Sequence, residues 1–526
     1  MTSNFKTVII RGCSNPLFFV GMKFIGLRLD DHDTNITYTD GVNVKYTNCE
    51  RNTQKKHYGD NDLNSWIQII KKWGINPSEV DAIAIVMDKF LHINVEYEEE
   101  KLFNQIELKI FRVLGFDCPI YRVDHHYCHA LSVWPLGVKP TVSIVSDGFG
   151  DGKINFSVFR DDKIVQRFKE GKKRNGYVPF ESLAMNLSQV GDAIDIKGDP
   201  LDHAGKIMGL IAYGSQYNYN KKFFNLENLS KAWMTFDWNS LRLSKNEDFP
   251  TICDWVAKAH AVSERVYVDA FERYTNPDDI VGYSGGVAQN TVINTRIRQV
   301  RPELHIPPHC NDAGLSLGAV EFLRKYYDQE DFDISGFPFW EDDQAPPDIP
   351  SKKTIKETAE RLARGEIVGW YQGHGEVGPR ALGNRSILMN PAIKNGKYII
   401  NGKVKNREHF RPFGASVLEE KAKDYFDFPH ASPYMLYVMD MIDDELYPPV
   451  THADGTCRAQ TVSQDLEVYY SLIEEFELLT GIPMLLNTSL NVGGKPIAAY
   501  KENALDLWCN TELDALVFGD EVFSDD

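Results

Sequence analysis

Short apolar runs that break off at glycine- or aspartate-rich turns constrain this chain most. "TVSIVSDG" and "DIVGYSGG" are two of them. An apolar run of this length, ended by such a turn, marks a buried strand of an α/β fold whose end delivers a functional loop. Helices are expected after them over 287–299 and 313–326. Further on, "KETAERLARG" reads as a helix stopped at Gly365 and "EIVGWYQG" as a strand. Between these regions lies the proline-rich, acidic stretch 332–353, "FDISGFPFWEDDQAPPDIPSKK", which suits an exposed connection. A chain of 526 residues is too long for one ordinary core. Two α/β regions are therefore expected, 1–345 and 346–526, with no internal repeat at a fixed period.

With 43% hydrophobic and 25% charged residues, there is material for a large core and little for disorder. The net charge of −18 argues against a broadly basic nucleic-acid surface. None of the eight cysteines forms a CxxC pair, so neither a zinc knuckle nor a disulfide framework is indicated, and reduced thiols are expected. Lys6, Arg11 and Lys23 interrupt the apolar N-terminus, which shows no signal-peptide pattern. No apolar run is long enough to span a bilayer, so a soluble, cytoplasmic protein is expected.

"DHHYCHALSVW" concentrates imidazole. On a helix, His125 and His129 share one face and can hold a metal ion; the alternative is a buried helix whose histidines bond backbone carbonyls. "SDGFGDG" offers Asp147 at a strand end, where a hairpin turn is the alternative. "NDAGLSLGA" offers Asp312 near a helix start, where an N-cap is the alternative. Together the four would form a two-His, two-carboxylate set suited to Fe(II), Mn(II) or Zn(II). In "YSGGVAQN", Ser284, Gly285, Gly286 and Asn290 join a strand to a helix, and the glycines let backbone approach a nucleotide phosphate or simply make a tight turn.

In an acidic chain, "GEVGPRALGNRSIL" and "GKVKNREHFRPFG" gather Arg380, Arg385, Lys403, Lys405, Arg407 and Arg411 on glycine- and proline-shaped loops. That suits a small, highly charged oxyanion better than a merely solvated face. "LLNTSLNVGGKP" adds Asn487, Thr488 and Ser489 as neutral hydrogen-bonding groups.

In order along the chain, these motifs resemble the O-carbamoyltransferases of the NodU/CmcH family. "HDTNITYTDG" and "CERNTQKKH" are similar to the family's N-terminal signature. "HHYCHA", "SDGFGDG", "GKIMGLIAYG", "YSGGVAQN" and "NDAGLSLGA" are similar to its two-lobed actin-like (ASKHA) domain. "GPRALGNRS", "VKNREHFRPF", "CRAQTV" and "TGIPMLLNTSLN" are similar to its smaller YrdC-like α/β domain. The resemblance implies an actin-like carbamoyl-transfer domain over 1–345 and a YrdC-like adenylation domain over 346–526. The second would bind carbamoyl phosphate and ATP, with Mg(II), and make a carbamoyl-adenylate; the first would pass the carbamoyl group to an acceptor hydroxyl.

The resemblance also implies residue roles. His125, His129, Asp147 and Asp312 become metal ligands, of Fe(II) first, with Mn(II) or Zn(II) as substitutes. Lys56 and the Ser284–Gly286 backbone, with Asn290, would contact nucleotide, and His32 stands where the family has a general base. Arg380, Lys405, Arg411, Arg458, Asn487 and Ser489 would hold carbamoyl phosphate. An N-terminal extension, "DTNITYTDG" and "KKRNGYVPFESL" depart from the family pattern and leave the acceptor open.

Residue usage resembles low-GC phage coding, and the resemblance to phage-type members of the family implies 5-hydroxymethylcytosine in DNA as the acceptor, modified in a bacterial host's cytoplasm. The basic stretch "RFKEGKKRNGY", 167–177, would then meet the DNA, unless it is only a solvated loop. A small-molecule or sugar hydroxyl, a threonylcarbamoyl-type tRNA modification and a noncatalytic actin-like ATP switch are the alternatives. No membrane partner is expected, and there is room for a homodimer.

Overall fold

The computed structural model describes residues 21–60, 64–87, 89–90, 93–94, 101–169, 182–215, 224–342 and 349–524. Three sheets carry the site. The first is built from β1 (Phe24–Arg28), β2 (Asn35–Thr39), β3 (Val44–Asn48) and β4 (Ala82–Val86). After a two-stranded hairpin, β5 (Lys89–Phe90) with β6 (Ile93–Asn94), come β7 (Phe103–Ile106) and β8 (Ile120–Val123). The order is β3-β2-β1-β4-β8-β7, with β2 antiparallel to β1, and β4 and β8 parallel to it.

The second sheet contains β9 (Val142–Ser146), β10 (Ile154–Arg160), β11 (Lys163–Lys169), β12 (Val281–Ser284) and β13 (Leu304–His305). Its order, β11-β10-β9-β12-β13, repeats the first five strands of the first sheet, an antiparallel meander on one side of the founding strand and parallel strands on the other, while the first sheet adds β7 antiparallel at its edge. This duplicated topology is the two-lobed actin-like arrangement expected, although no sequence repeat announces it. β1 and β4 are buried throughout because helices cover the sheet, as uninterrupted apolar strands require.

The lobes meet through two helices. His125–Leu131 follows β8, and Leu315–Tyr326 lies against β1 and β4. Where these helices cross, a Cβ on Gly318 would stand 1.9 Å from the Cys128 carbonyl oxygen, so only glycine permits the approach. The helices 287–299 and 313–326 expected from sequence are found as Thr291–Val300 and Leu315–Tyr326, each preceded by a 3₁₀ turn.

The third sheet has nine strands: β14 (Val368–Tyr371), β15 (Arg385–Met389), β16 (Gly414–Leu418), β17 (Phe426–Asp427), β18 (Met439–Met441), β19 (Thr456–Val462), β20 (Met484–Ser489), β21 (Ala515–Phe518) and β22 (Glu521–Ser524). Their order is β17-β18-β19-β16-β20-β15-β14-β21-β22, mixed parallel and antiparallel. Helices Lys352–Ala363 and Glu467–Thr480 cover it through Ile355, Leu362, Trp370, Leu472 and Phe476. Gly365 closes the first of these helices at φ 91°, as its position predicts.

The connection 332–353 is exposed as expected over 333–336 and 351–353, but not throughout. Phe332 is 5% exposed and Glu341 1%. Trp134 packs on Phe332 and Trp340, and Glu341 bridges β3 to Gly375 beside the third sheet, the core of a third domain after the two lobes. The aromatic residues carry enough apolar surface to hold this half of the segment down despite its acidic charge. The described cysteines are all unpaired. No helix is long and apolar enough to cross a membrane among the described residues.

Candidate active site

His125 and His129 lie one turn apart on the helix His125–Leu131, which Asp124 caps by accepting from the Tyr127 amide. Asp147 sits in the β9–β10 turn and Asp312 in the 3₁₀ turn before Leu315–Tyr326. The four side chains are buried, and their facing atoms lie within 4.8 Å of one another. His125 Nε2 is 3.1 Å from Asp147 Oδ2, and His129 Nε2 is 3.3 Å from Asp312 Oδ1. The second oxygen of each carboxylate is committed elsewhere: Asp147 Oδ1 accepts from the Gly286 amide at 2.7 Å, and Asp312 Oδ2 from Arg28 at 3.2 Å. Burial pushes Asp312 up, but His125 above all, then His129 and Arg28, hold it well below the usual carboxylate range. Two imidazoles and two ionised carboxylates converging in a dry pocket suit a divalent ion.

A second constellation borders the first. Asp33 accepts from His32 Nδ1 and His57 Nδ1, both at 3.1 Å, and His57 Nε2 lies 3.3 Å from Asp202, which also pairs with Lys56. Burial lowers the His57 pKa, but its bonds to Asp202 and Asp33 lift it to about 10. The Asp33 hydrogen bond likewise raises His32 against burial. His57, Asp33 and Asp202 were not singled out from sequence, although the doublets "DHD" and "KKH" were the signal. Arg28 was missed too; its signal was a cation inside the apolar strand "FIGLR".

The glycine loop serves the His/Asp cluster as well as the cavity. Gly285, at φ 94°, would clash with the Ser146 backbone if it carried a Cβ. Its amide donates to Cys310, while Gly286 donates to Asp147. Ser284 is fully buried and its hydroxyl donates to the His129 carbonyl, so that side chain stands behind the wall. Asn290 caps the helix Thr291–Val300 and bonds His260. This corrects a reading of the glycine amides as free for phosphate: strand-end geometry spends them on Cys310 and Asp147.

In the third domain, Arg380, Lys405, Arg407, Arg411, Arg458, Asn487 and Ser489 line one wall of a cavity of about 1330 Å³. The same cavity is lined by His32, Lys56, Asp147, Gly286, Asn290 and Asp312. Lys405 Nζ donates to Ser489 O, Asn491 O and Asn491 Oδ1, each at 2.7 Å. Burial, then Arg407, Arg411 and Lys56, press its pKa well below the lysine range. Burial and then Arg411 bring Arg407 down to about 9; burial, then Arg380 and Arg407, lower Arg458. The nearby carboxylate Glu408 is divided between Lys206 at 3.0 Å and Arg411 at 3.4 Å. A buried lysine and half-buried arginines that press on one another this way call for an anionic ligand.

Two of the grouped cations do not join. Arg385 donates to the Gln372, Gly373 and Asn384 carbonyls and lies over the Tyr371 ring, inside the fold. Lys403 faces Glu512 and Asp514, each at 3.8 Å. In the stretch 167–177, Arg167 is buried and paired with Asp124 at 2.7 Å; Lys169 closes β11; Lys172, Lys173, Arg174 and Tyr177 lie outside the described residues.

Residues 359–524 match the family described as Carbamoyltransferase C-terminus. The chain is 35% identical to uncharacterized protein sll1178 of Synechocystis sp., over 91% of this chain and 92% of that protein. It is 27% identical to nodulation protein NolNO of Sinorhizobium fredii, over 91% of this chain and 77% of that protein. Among solved structures it is similar to HypF of T. kodakarensis, with a TM-score of 0.40 and 13% identity over 59% of this chain and 48% of that one. The sequence matches and the order of motifs agree: the chain is a carbamoyltransferase and belongs to the NodU/CmcH family of O-carbamoyltransferases.

Proposed function

We propose that the enzyme uses carbamoyl phosphate and ATP, with Mg(II), to make a carbamoyl-adenylate, and transfers its carbamoyl group to an acceptor hydroxyl. One observation carries this reading: the cations beside the third sheet and the carboxylates Asp147 and Asp312 of the His/Asp cluster line the same cavity. In this reading the work divides between residues 346–526, the YrdC-like adenylation domain, and 1–345, the actin-like transfer domain.

Arg380, Lys405, Arg411 and Arg458 hold the phosphate of carbamoyl phosphate, with Asn487 and Ser489 at its neutral end. Water hydrolyses carbamoyl phosphate to carbamate and inorganic phosphate; the carbamate oxygen then attacks the α-phosphorus of ATP, pyrophosphate departs, and the cations offset the charge that develops. Lys56 and the Gly286 and Asn290 wall take the nucleotide. Lying within one cavity, the adenylate need not cross bulk water, which limits its hydrolysis.

In the second half-reaction the acceptor oxygen attacks the carbamoyl carbon and AMP leaves. His32 takes the hydroxyl proton on Nε2, because Nδ1–H is given to Asp33. His125, His129, Asp147 and Asp312 would hold a divalent ion, Fe(II) first and Mn(II) or Zn(II) as substitutes. When bound it supplies Lewis-acid charge beside the phosphate and carbonyl oxygens.

The test is pyrophosphate release before any acceptor is known. Release that requires carbamoyl phosphate, and not threonine with bicarbonate, supports the reading. Dependence on threonine and bicarbonate would turn it to a tRNA-modifying enzyme, and no release to an ATP switch. The acceptor proposed is 5-hydroxymethylcytosine in DNA, on residue usage and the resemblance to phage-type members of the family. Mass analysis of nucleosides after incubation with hydroxymethylated DNA decides it. No added carbamoyl mass alongside active pyrophosphate release moves the acceptor to a sugar or other small-molecule hydroxyl.

A further inference from the structure

Arg380 reaches the cavity from a loop, 373–384, that has no regular structure of its own. Loops that place a charged group need outside restraint, because each free backbone residue costs ordering entropy of about 1–2 kcal/mol. Part of that restraint lies within the third domain. Glu376 Oε1 accepts from the amides of Leu382, Asn384 and Arg385 at 2.8, 2.9 and 3.1 Å, and Gln460 donates to the Leu382 carbonyl at 2.9 Å.

The connection adds two bonds, the Val377 amide donating to the Pro338 carbonyl at 2.8 Å and the Glu341 amide to the Gly375 carbonyl at 3.1 Å, and the first lobe adds more. Arg51 lies in the short helix Cys49–Thr53 and is 2% exposed. Its Nη2 donates to the Gly378 carbonyl at 2.8 Å and to the Glu376 carbonyl at 3.4 Å, two and four residues before Arg380. Gly378 itself, at φ 104°, is wedged so that a Cβ would stand 2.4 Å from the Pro308 carbonyl oxygen of the second lobe. The helix bearing Arg51 is fixed in turn: Asn48 caps it, and the Asn48 amide donates to Glu341 at 3.0 Å. Its next residues dock on the third domain as well, Asn52 on Tyr500 and Gln54 on the Ile497 carbonyl.

We infer that Arg51 is a positioning residue: its grip on the 376 and 378 carbonyls sets the Arg380 guanidinium against the anion and ties the first lobe to the oxyanion site. The inference rests on the cation wall being the carbamoyl-phosphate site. A seam of burial alone would need no guanidinium aimed at two carbonyls of this loop. Charge-assisted bonds to a planar donor fix direction as well as distance, which apolar packing does not.

A double-mutant cycle tests it. Calorimetric titration with inorganic phosphate, and the KM for carbamoyl phosphate in pyrophosphate release, are measured for wild type, Arg51→Ala, Arg380→Ala and the pair. Each single variant should weaken phosphate binding on the order of tenfold, the scale of a lost contact to a buried charge. In the Arg380→Ala background, Arg51→Ala should add little. The KM for ATP should stay near wild type, and free guanidine should restore part of the Arg51→Ala loss. Additive losses in the cycle, or equal loss of ATP and phosphate affinity, would overturn the inference. If Arg51→Ala does not fold, Arg51→Lys takes its place and should fall between wild type and Arg380→Ala. Wild type that binds phosphate but releases no pyrophosphate would overturn the functional reading, while the binding cycle still decides the role of Arg51.

Discussion

His125 and His129 bring their Nε2 atoms to 3.1 Å across one helical turn, both deeply buried. At that distance one ring can donate N–H to the other, but Asp147 Oδ2 and Asp312 Oδ1 also lie 3.1–3.7 Å from these nitrogens, so four ligand atoms face a common point that a divalent cation would fill. The His125→Ala protein should therefore lose most of its bound metal, read by elemental analysis after purification beside wild type. Arg28→Met, which frees Asp312 Oδ2, should weaken metal affinity roughly 10–100-fold while keeping the ligands. Wild-type metal content in His125→Ala would reject the site.

Arg458→Ala should depress carbamoyl-phosphate-dependent pyrophosphate release more than Arg411→Ala. Arg458 is half-buried and pressed by Arg380 and Arg407, whereas the Arg411 side chain is 30% exposed and shares Glu408. Losing a charge-assisted contact to a buried phosphate costs about 2–5 kcal/mol, so release at subsaturating substrate should fall at least tenfold. Metal content should not change. Equal, small effects of the two variants would place the anion elsewhere.

Stability should depend on pH through His57. Its folded pKa, about 10, lies above the ordinary 6.5, so the folded state holds the proton more tightly. That contribution is fully present below about pH 6.5 and is lost as pH rises toward 10. Thermal melts of wild type should fall between pH 6.5 and 8.5 by more than those of His57→Gln. The comparison stops there because buried thiols such as Cys49, pushed up to about 12, add a loss of their own above the usual thiol range. Parallel curves for the two proteins would remove His57 as the source.

Gly318→Ala should destabilise the protein although it adds one methyl group. The new Cβ would overlap the Cys128 carbonyl, and backbone cannot swing away as a side chain can. Overpacking of this kind costs about 1–3 kcal/mol, and here it would also separate His129 from Asp312. A denaturant melt with a lower midpoint and a metal titration with weaker affinity should appear together. A lower midpoint with unchanged metal affinity would mean the helices part without moving the ligands.

The sequence by itself determined what depends on near neighbours. His125 and His129 share a face because a helix returns every 3.6 residues, and "TVSIVSDG", "DIVGYSGG" and "EIVGWYQG" form strands at β9, β12 and β14 because their apolar residues need two covered faces. Direction over long range was decided only by tertiary structure. Arg380 and Arg385 are five residues apart, yet one faces the cavity and the other spends its guanidinium on backbone carbonyls. Ser284 turns behind the wall while Gly286 stays on it. Arg28 reaches Asp312 across 284 residues, and the two lobes repeat one topology without repeating their residues. A strand pattern records which side is apolar, but a cation's partner is set by whichever oxygens packing brings within reach, and those come from elsewhere in the chain.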